Sequence, residues 1–290
     1  MNVKTVLRDS KLTNLPLLAS QVVEGFISGI HQSPFHGYSA EFAEHKLYNT
    51  GESTRHIDWK LYAKTDKLYT KKFEEETNLR CHFILDQSAS MYYPEVAQPS
   101  LTNLDKLSFS ALSIAAVMQL LNKQRDAVGL SIYDEELRFQ TTEKGSGLHY
   151  NMIYNALENC INTPQQNLKT NTYQFLHEIA EKLKRRSLVF LFTDLLQPDL
   201  PRADLFEALR HLKYNKHQVV LFHTLDYKTE VQFEFDDAPK RFFDLETGSK
   251  IDLYTHQIKK EYVEKMSEFI QDVKLTCAKY KIRYVEANIE

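Results

Sequence analysis

Two hydrophobic rhythms alternate along most of the chain. Leu107, Leu112, Ile114, Ala115, Val117, Met118 and Leu121 recur at helical spacing and predict a largely buried helix over 104–121. Leu79 to Leu85 and Ala127 to Tyr133 are short β-prone runs. Ser187 to Phe192 is continuously apolar, the pattern of a strand covered on both faces, and Gln218 to Thr224 repeats it. Amphipathic helices are predicted over 173–183 and 203–212, a long one over 253–280, and a final strand over 282–285. Val231 to Phe235 and Arg241 to Phe243 read as two further strands, a β insertion near 231–250. Strands alternating with helices predict an α/β fold, a doubly wound and mostly parallel sheet.

Residues 1–78 follow a different pattern. Leu15 to Ile30 carries apolar residues at helical spacing, and Ser33-Pro34-Phe35-His36-Gly37 breaks it. Asn49-Thr50-Gly51 marks a turn, and Lys67 to Phe73 alternates as a strand does. The division expected is a smaller N-terminal region, 1–78, packed on a larger α/β domain, 79–290. The single tryptophan, Trp59, is expected to be a packing anchor because of the area its ring buries.

Composition narrows the class. With 42% hydrophobic residues, 12% aromatics and few Gly or Pro, 290 residues can fill a real core. A formal net charge of −3, with interspersed lysines and glutamates, provides no basic stripe for nucleic acid. Cys81, Cys160 and Cys277 are odd in number and form no CxxC pair, so they are expected as reduced, buried thiols of a cytoplasmic protein. The polar N-terminus lacks the pattern of a signal peptide. Gln21 and Glu24 interrupt the most apolar early stretch, so no membrane span is expected.

Open parallel sheets bind ligands beyond the carboxyl ends of their strands. One predicted strand ends in Asp86-Gln87-Ser88-Ala89-Ser90, another stops at Thr193-Asp194, and Thr170-Asn171-Thr172 opens a helix. These oxygens suit a hard cation, Mg²⁺ or else Mn²⁺ or Ca²⁺. Asp86, Ser88 and Ser90 are two apart and can converge on one point. A lone D-x-S-x-S more often caps a following helix. Thr170 also reads as an N-cap, and Thr172 competes with it as a ligand.

The set resembles the metal-ion-dependent adhesion site of von Willebrand factor A domains: Asp86, Ser88 and Ser90 for the first loop, Thr170 for the second and Asp194 for the third. Leu195 stands where many such domains have glycine. Lys46-Leu47-Tyr48-Asn49-Thr50-Gly51-Glu52-Ser53-Thr54-Arg55-His56-Ile57-Asp58-Trp59 resembles the signature of the DUF58 family, with Lys46 for Arg and Glu52 for Asp. Ala63-Lys64, Lys72 to Glu76 and Phe243 to Gly248 extend that likeness over nearly the whole chain. The resemblance implies a bacterial cytoplasmic protein working beside a MoxR-type AAA+ ATPase. It implies a protein partner whose Asp or Glu completes the shell of a cation held by Ser88, Ser90 and Thr170, with Asp86 and Asp194 assisting. Two rivals remain. A phosphatase of the haloacid dehalogenase type needs D-x-D, and Ser88 occupies the second position. No G-x-S-x-G elbow or zinc spacing supports a hydrolase, so binding rather than catalysis is expected. The other rival is a scaffold whose metal site stays empty.

Overall fold

The computed structural model describes residues 14–27, 39–48, 57–76, 79–134, 136–162, 172–196, 202–214, 216–236, 238–245 and 249–290. The chain divides into two compact units, 30–79 and 1–29 with 80–290.

In the smaller unit, β1 (Ser39–Leu47) pairs antiparallel with β2 (Tyr69–Glu76), with an irregularity between Phe42 and Glu44. Between them lies α2 (Trp59–Thr65). The Asp58 carboxylate caps it by accepting from the amides of Lys60 and Leu61, and Asp66 in the left-handed region ends it. Trp59 is 62% exposed and meets Tyr62 edge-on, so the expected packing anchor is not one. Its position, the first residue of a seven-residue helix with no buried positions, leaves its ring facing outward. Arg55 lies outside the described residues.

The larger unit is built on a six-stranded sheet in the order β10-β7-β6-β3-β4-β5. The strands are β3 (Arg80–Asp86), β4 (Ala127–Tyr133), β5 (Leu137–Gln140), β6 (Leu188–Thr193), β7 (Gln218–Leu225) and β10 (Arg283–Asn288). All pairings are parallel except β4 with β5. The helices are α1 (Leu15–Ile27), α3 (Lys106–Lys123), α4 (Gly147–Asn162), α5 (Thr172–Lys182), α6 (Arg202–Tyr214) and α7 (Thr255–Lys279). None of the described helices is long and apolar enough to cross a membrane.

The mostly parallel α/β sheet follows the sequence pattern, because strands buried on both faces must be apolar throughout. One face carries Ile84, Val189, Leu191, Val219 and Leu221 against Leu176 and Ile179 of α5 and Leu205 and Leu209 of α6. The alternate residues stack as aromatics, Phe83 on Phe190 at 5.4 Å and Phe192 on Phe222 at 4.5 Å. Gly129 lies where a Cβ would come within 2.7 Å of His82 Nδ1, so its lack of a side chain serves close packing.

Three elements depart from expectation. Residues 231–235 are not a strand: a π-helical turn, Tyr227–Val231, leads into irregular chain with Phe233 at φ 50°. That conformation turns Phe233 inward onto Phe242 and Tyr262, and burial of its ring outweighs the β pattern of the segment. The insertion is instead a hairpin of β8 (Pro239–Phe243) and β9 (Lys250–Tyr254). The helix α4 and the edge strand β5 were not legible: α4 buries His149, Tyr150 and Tyr154 among its apolar positions, which blurs the period.

Candidate functional site

The chain enters the sheet at β3, proceeds outward through β4 to β5, then returns to the other side of β3 and proceeds through β6, β7 and β10. The direction of winding therefore reverses at β3, between β4 and β6. At such a switch point the flanking connections leave in opposite directions and open a crevice at the carboxyl ends. Asp86 ends β3 and Thr193 ends β6, so both lie at that crevice.

The loop after β3 is fixed locally. The Asp86 Oδ1 accepts from the Ser88 amide at 2.9 Å, and the Gln87 amide donates to the Tyr133 carbonyl at 2.8 Å. The Gln87 side chain donates to the Tyr92 hydroxyl at 2.9 Å. The helix that follows is a four-residue 3-10 turn, Ala89–Tyr92, and Ser88 makes no side-chain cap bond to it. The Ser88 and Ser90 hydroxyls instead lie 3.1 Å apart, hydrogen-bonded to each other. Asp86 and Ser88 are buried and Ser90 is half-buried.

The loop after β6 is tied to the first one. The Leu195 amide donates to the Thr193 hydroxyl at 3.1 Å, and that hydroxyl donates to Asp86 Oδ2 at 2.7 Å. The Asp194 Oδ1 accepts from the Leu196 amide at 3.1 Å. Leu195 adopts φ 56°, a left-handed conformation that favours glycine, and its side chain is buried in the main core. Behind the loop, His223 Nε2 donates to the Asp194 carbonyl at 2.8 Å, so its Nδ1 accepts from the Tyr284 hydroxyl at 2.7 Å. Burial lowers the His223 pKa to about 4, and the imidazole is neutral.

Of the predicted site residues, Asp86, Ser88, Ser90 and Asp194 come together in this cluster. Thr170 lies outside the described residues. Thr172 is the first residue of α5.

The cluster also contains residues that the sequence reading missed. Lys106, fully buried, donates from Nζ to Asp194 Oδ2 at 2.7 Å and to Glu230 Oε1 at 2.5 Å. Glu230 Oε2 in turn accepts from the Asp226 amide at 2.8 Å, and the Tyr93 hydroxyl donates to Thr229 at 2.7 Å. A local signal did exist. Lys106 is the first residue of α3, after its N-cap Asp105, where a cation opposes the helix dipole. Two carboxylates, Asp194 and Glu230, hold this one ammonium, and the charge of Asp194 is felt at a third, Asp86, so the four side chains sum to a formal charge of −2. Burial and the charge of Asp194 raise the Asp86 carboxyl to about 6, although Thr193 and Ser88 bond it. Burial disfavours the Lys106 charge, but Asp194 and Glu230 outweigh that and hold the ammonium above its ordinary range.

The family model described as "Protein of unknown function DUF58" matches residues 44–269. Uncharacterized proteins of Mycobacterium tuberculosis and Mycobacterium bovis are each 20% identical over 215 residues, 74% of this chain and 64% of theirs. The chain therefore spans 64% of the length of the curated relatives it matches. Among solved structures, the conserved hypothetical protein BatB from Bacteroides thetaiotaomicron is similar with a TM-score of 0.40 and 16% identity, covering 72% of this chain and 90% of that one. An uncharacterized membrane spanning protein from Vibrio fischeri is similar with a TM-score of 0.19 and 12% identity, over the same shares of the two chains.

Proposed function

The chain belongs to the DUF58 family, and from that premise we propose that it is a metal-dependent protein-binding adaptor. In this reading the larger unit is a von Willebrand factor A-like domain. Its adhesion site comprises Asp86, Ser88, Ser90 and Asp194, with Thr170 or Thr172 as a further ligand. The partner supplies an Asp or Glu, and the chain works beside a MoxR-type AAA+ ATPase in the cytoplasm, where its three buried free cysteines stay reduced.

One observation carries the reading: the Ser88 and Ser90 hydroxyl oxygens lie 3.1 Å apart in the loop that begins with buried Asp86, whose carboxyl feels the charge of buried Asp194. Adjacent oxygens around Mg²⁺ lie roughly 3 Å apart for metal–oxygen distances of about 2.1 Å. Hydroxyl and carboxylate donors without sulfur or imidazole suit a hard cation. The residues present therefore fit a divalent ion of the magnesium class. When bound, such an ion supplies an electrophilic position for an outside carboxylate. The chain's own residues do the rest. Thr193 and the Ser88 amide orient Asp86, the Leu196 amide orients Asp194, and His223 holds the Asp194 carbonyl.

Lys106 favours a second reading, in which its ammonium is the permanent counter-ion and the domain is a scaffold that binds no metal. Calorimetric titration of the metal-stripped chain with Mg²⁺ and Mn²⁺ separates the two. The adaptor reading requires one site whose affinity falls at least about tenfold in Asp86→Ala and in Asp194→Ala, as loss of a charged ligand demands. Equal affinity in all three proteins, or none in any, refutes it. Hydrolysis of phosphate esters that depends on Mg²⁺ and on Asp86 would replace it with the phosphatase reading.

A further inference from the structure

We infer that Lys106 is an internal competitor for the cation, an ammonium that engages the Asp194 carboxylate and thereby sets how tightly the site would hold a divalent ion. The inference rests on the metal-site reading and concerns a residue that reading does not include.

The geometry restricts what Lys106 can do. Its Nζ is fully buried and lies 2.7 Å from Asp194 Oδ2, while Asp194 Oδ1 is bonded by the Leu196 amide. The ammonium is shared with Glu230, which is anchored at its other oxygen by the Asp226 amide. Lys106 therefore sits between two fixed acceptors. The Lys106 amide is held as well, donating to the Tyr93 carbonyl at 3.0 Å. A lysine placed for helix stability alone would not stand at the first position of α3, against the dipole and away from water. Its presence offsets one of the three carboxylates of the cluster, Asp86, Asp194 and the half-buried Glu230. Without it the buried charge on the apo protein grows, which destabilises the empty state and favours the loaded one.

Two substitutions of opposite sign test the idea in the full, metal-stripped chain, with Mn²⁺ as the probe. Lys106→Gln removes the charge and keeps a donor. It is expected to bind Mn²⁺ at least about tenfold more tightly than the parent, from the coulombic change at an effective dielectric of about 20. Glu230→Gln leaves the ammonium wholly to Asp194 and is expected to bind more weakly. A second readout is thermal. In chelator, Lys106→Gln melts below the parent, and saturating Mg²⁺ raises its melting temperature by more than it raises the parent's. A merely structural lysine would lower the first value without enlarging the second.

Mn²⁺ binding by Lys106→Gln where the parent binds none overturns the adaptor reading and the inference that rests on it. Affinity in Lys106→Gln equal to or weaker than the parent's overturns it, and the metal-site reading survives if Asp86→Ala still weakens parent binding. Should Lys106→Gln not fold, Glu230→Gln decides alone, and affinity equal to or tighter than the parent's overturns the inference. Absence of any Mn²⁺ response in parent and both variants sinks the inference and the site together.

Discussion

Acidification should weaken the larger unit through His223, by an amount the structure allows to be worked out. The imidazole is fully buried, and burial lowers its pKa to about 4. In the unfolded chain histidine titrates near 6.5. Between those values the unfolded state binds the proton and the folded state does not. Stability is therefore fully present above about pH 6.5 and is lost as pH falls toward about 4. Linkage gives a loss of about 2 kcal/mol between about pH 7 and pH 5, approaching about 3 kcal/mol at pH 4. Asp86 works the other way in the same window, since its raised carboxyl favours the folded state in acid, so the total slope is not diagnostic. A difference measurement is. His223→Gln does not titrate, and its amide can still donate toward the Asp194 carbonyl that His223 Nε2 now holds. Urea unfolding of parent and variant in chelator, at several pH values, should show the gap between them shrinking by about 2 kcal/mol on going from pH 7 to pH 5. A gap that stays constant with pH would falsify the assignment of a neutral, buried His223.

Three further predictions follow from packing. At Leu195, relief of left-handed strain of about 1–2 kcal/mol opposes the lost side chain. Leu195→Gly should therefore be no less stable than Leu195→Ala by chemical denaturation, and a clear advantage for alanine would refute the account. Gly129→Ala pushes a Cβ against a His82 ring held by Glu143 at 2.9 Å and Ser131 at 2.8 Å. It should cost about 1–3 kcal/mol, and a neutral effect would show that the ring can move. Trp59→Ala should change stability by less than about 1 kcal/mol given the exposure of the ring, and a large loss in thermal melts would restore the packing-anchor reading.

How much of this was legible depended on whether a pattern is local. The β3, β4, β6 and β7 runs announce themselves because each is covered on both faces, whereas their order in the sheet, with β3 between β4 and β6, is a property of the fold. β5, a four-residue edge strand with no fully buried position, carries no such signal. Leu195 stands out in the sequence after Thr193-Asp194, but only the fold shows its left-handed backbone and a side chain buried in the core.

The linear chain determined that Asp86, Ser88, Ser90 and Asp194 sit where strands end, since residue spacing and strand termini are properties of neighbours in sequence. What surrounds them was decided only by folding. Lys106 meets Asp194 across 88 residues and Glu230 across 124, and His223 reaches the Asp194 carbonyl across 29. The charge balance of a buried cluster is a sum over groups brought together from distant segments, and no local pattern contains that sum.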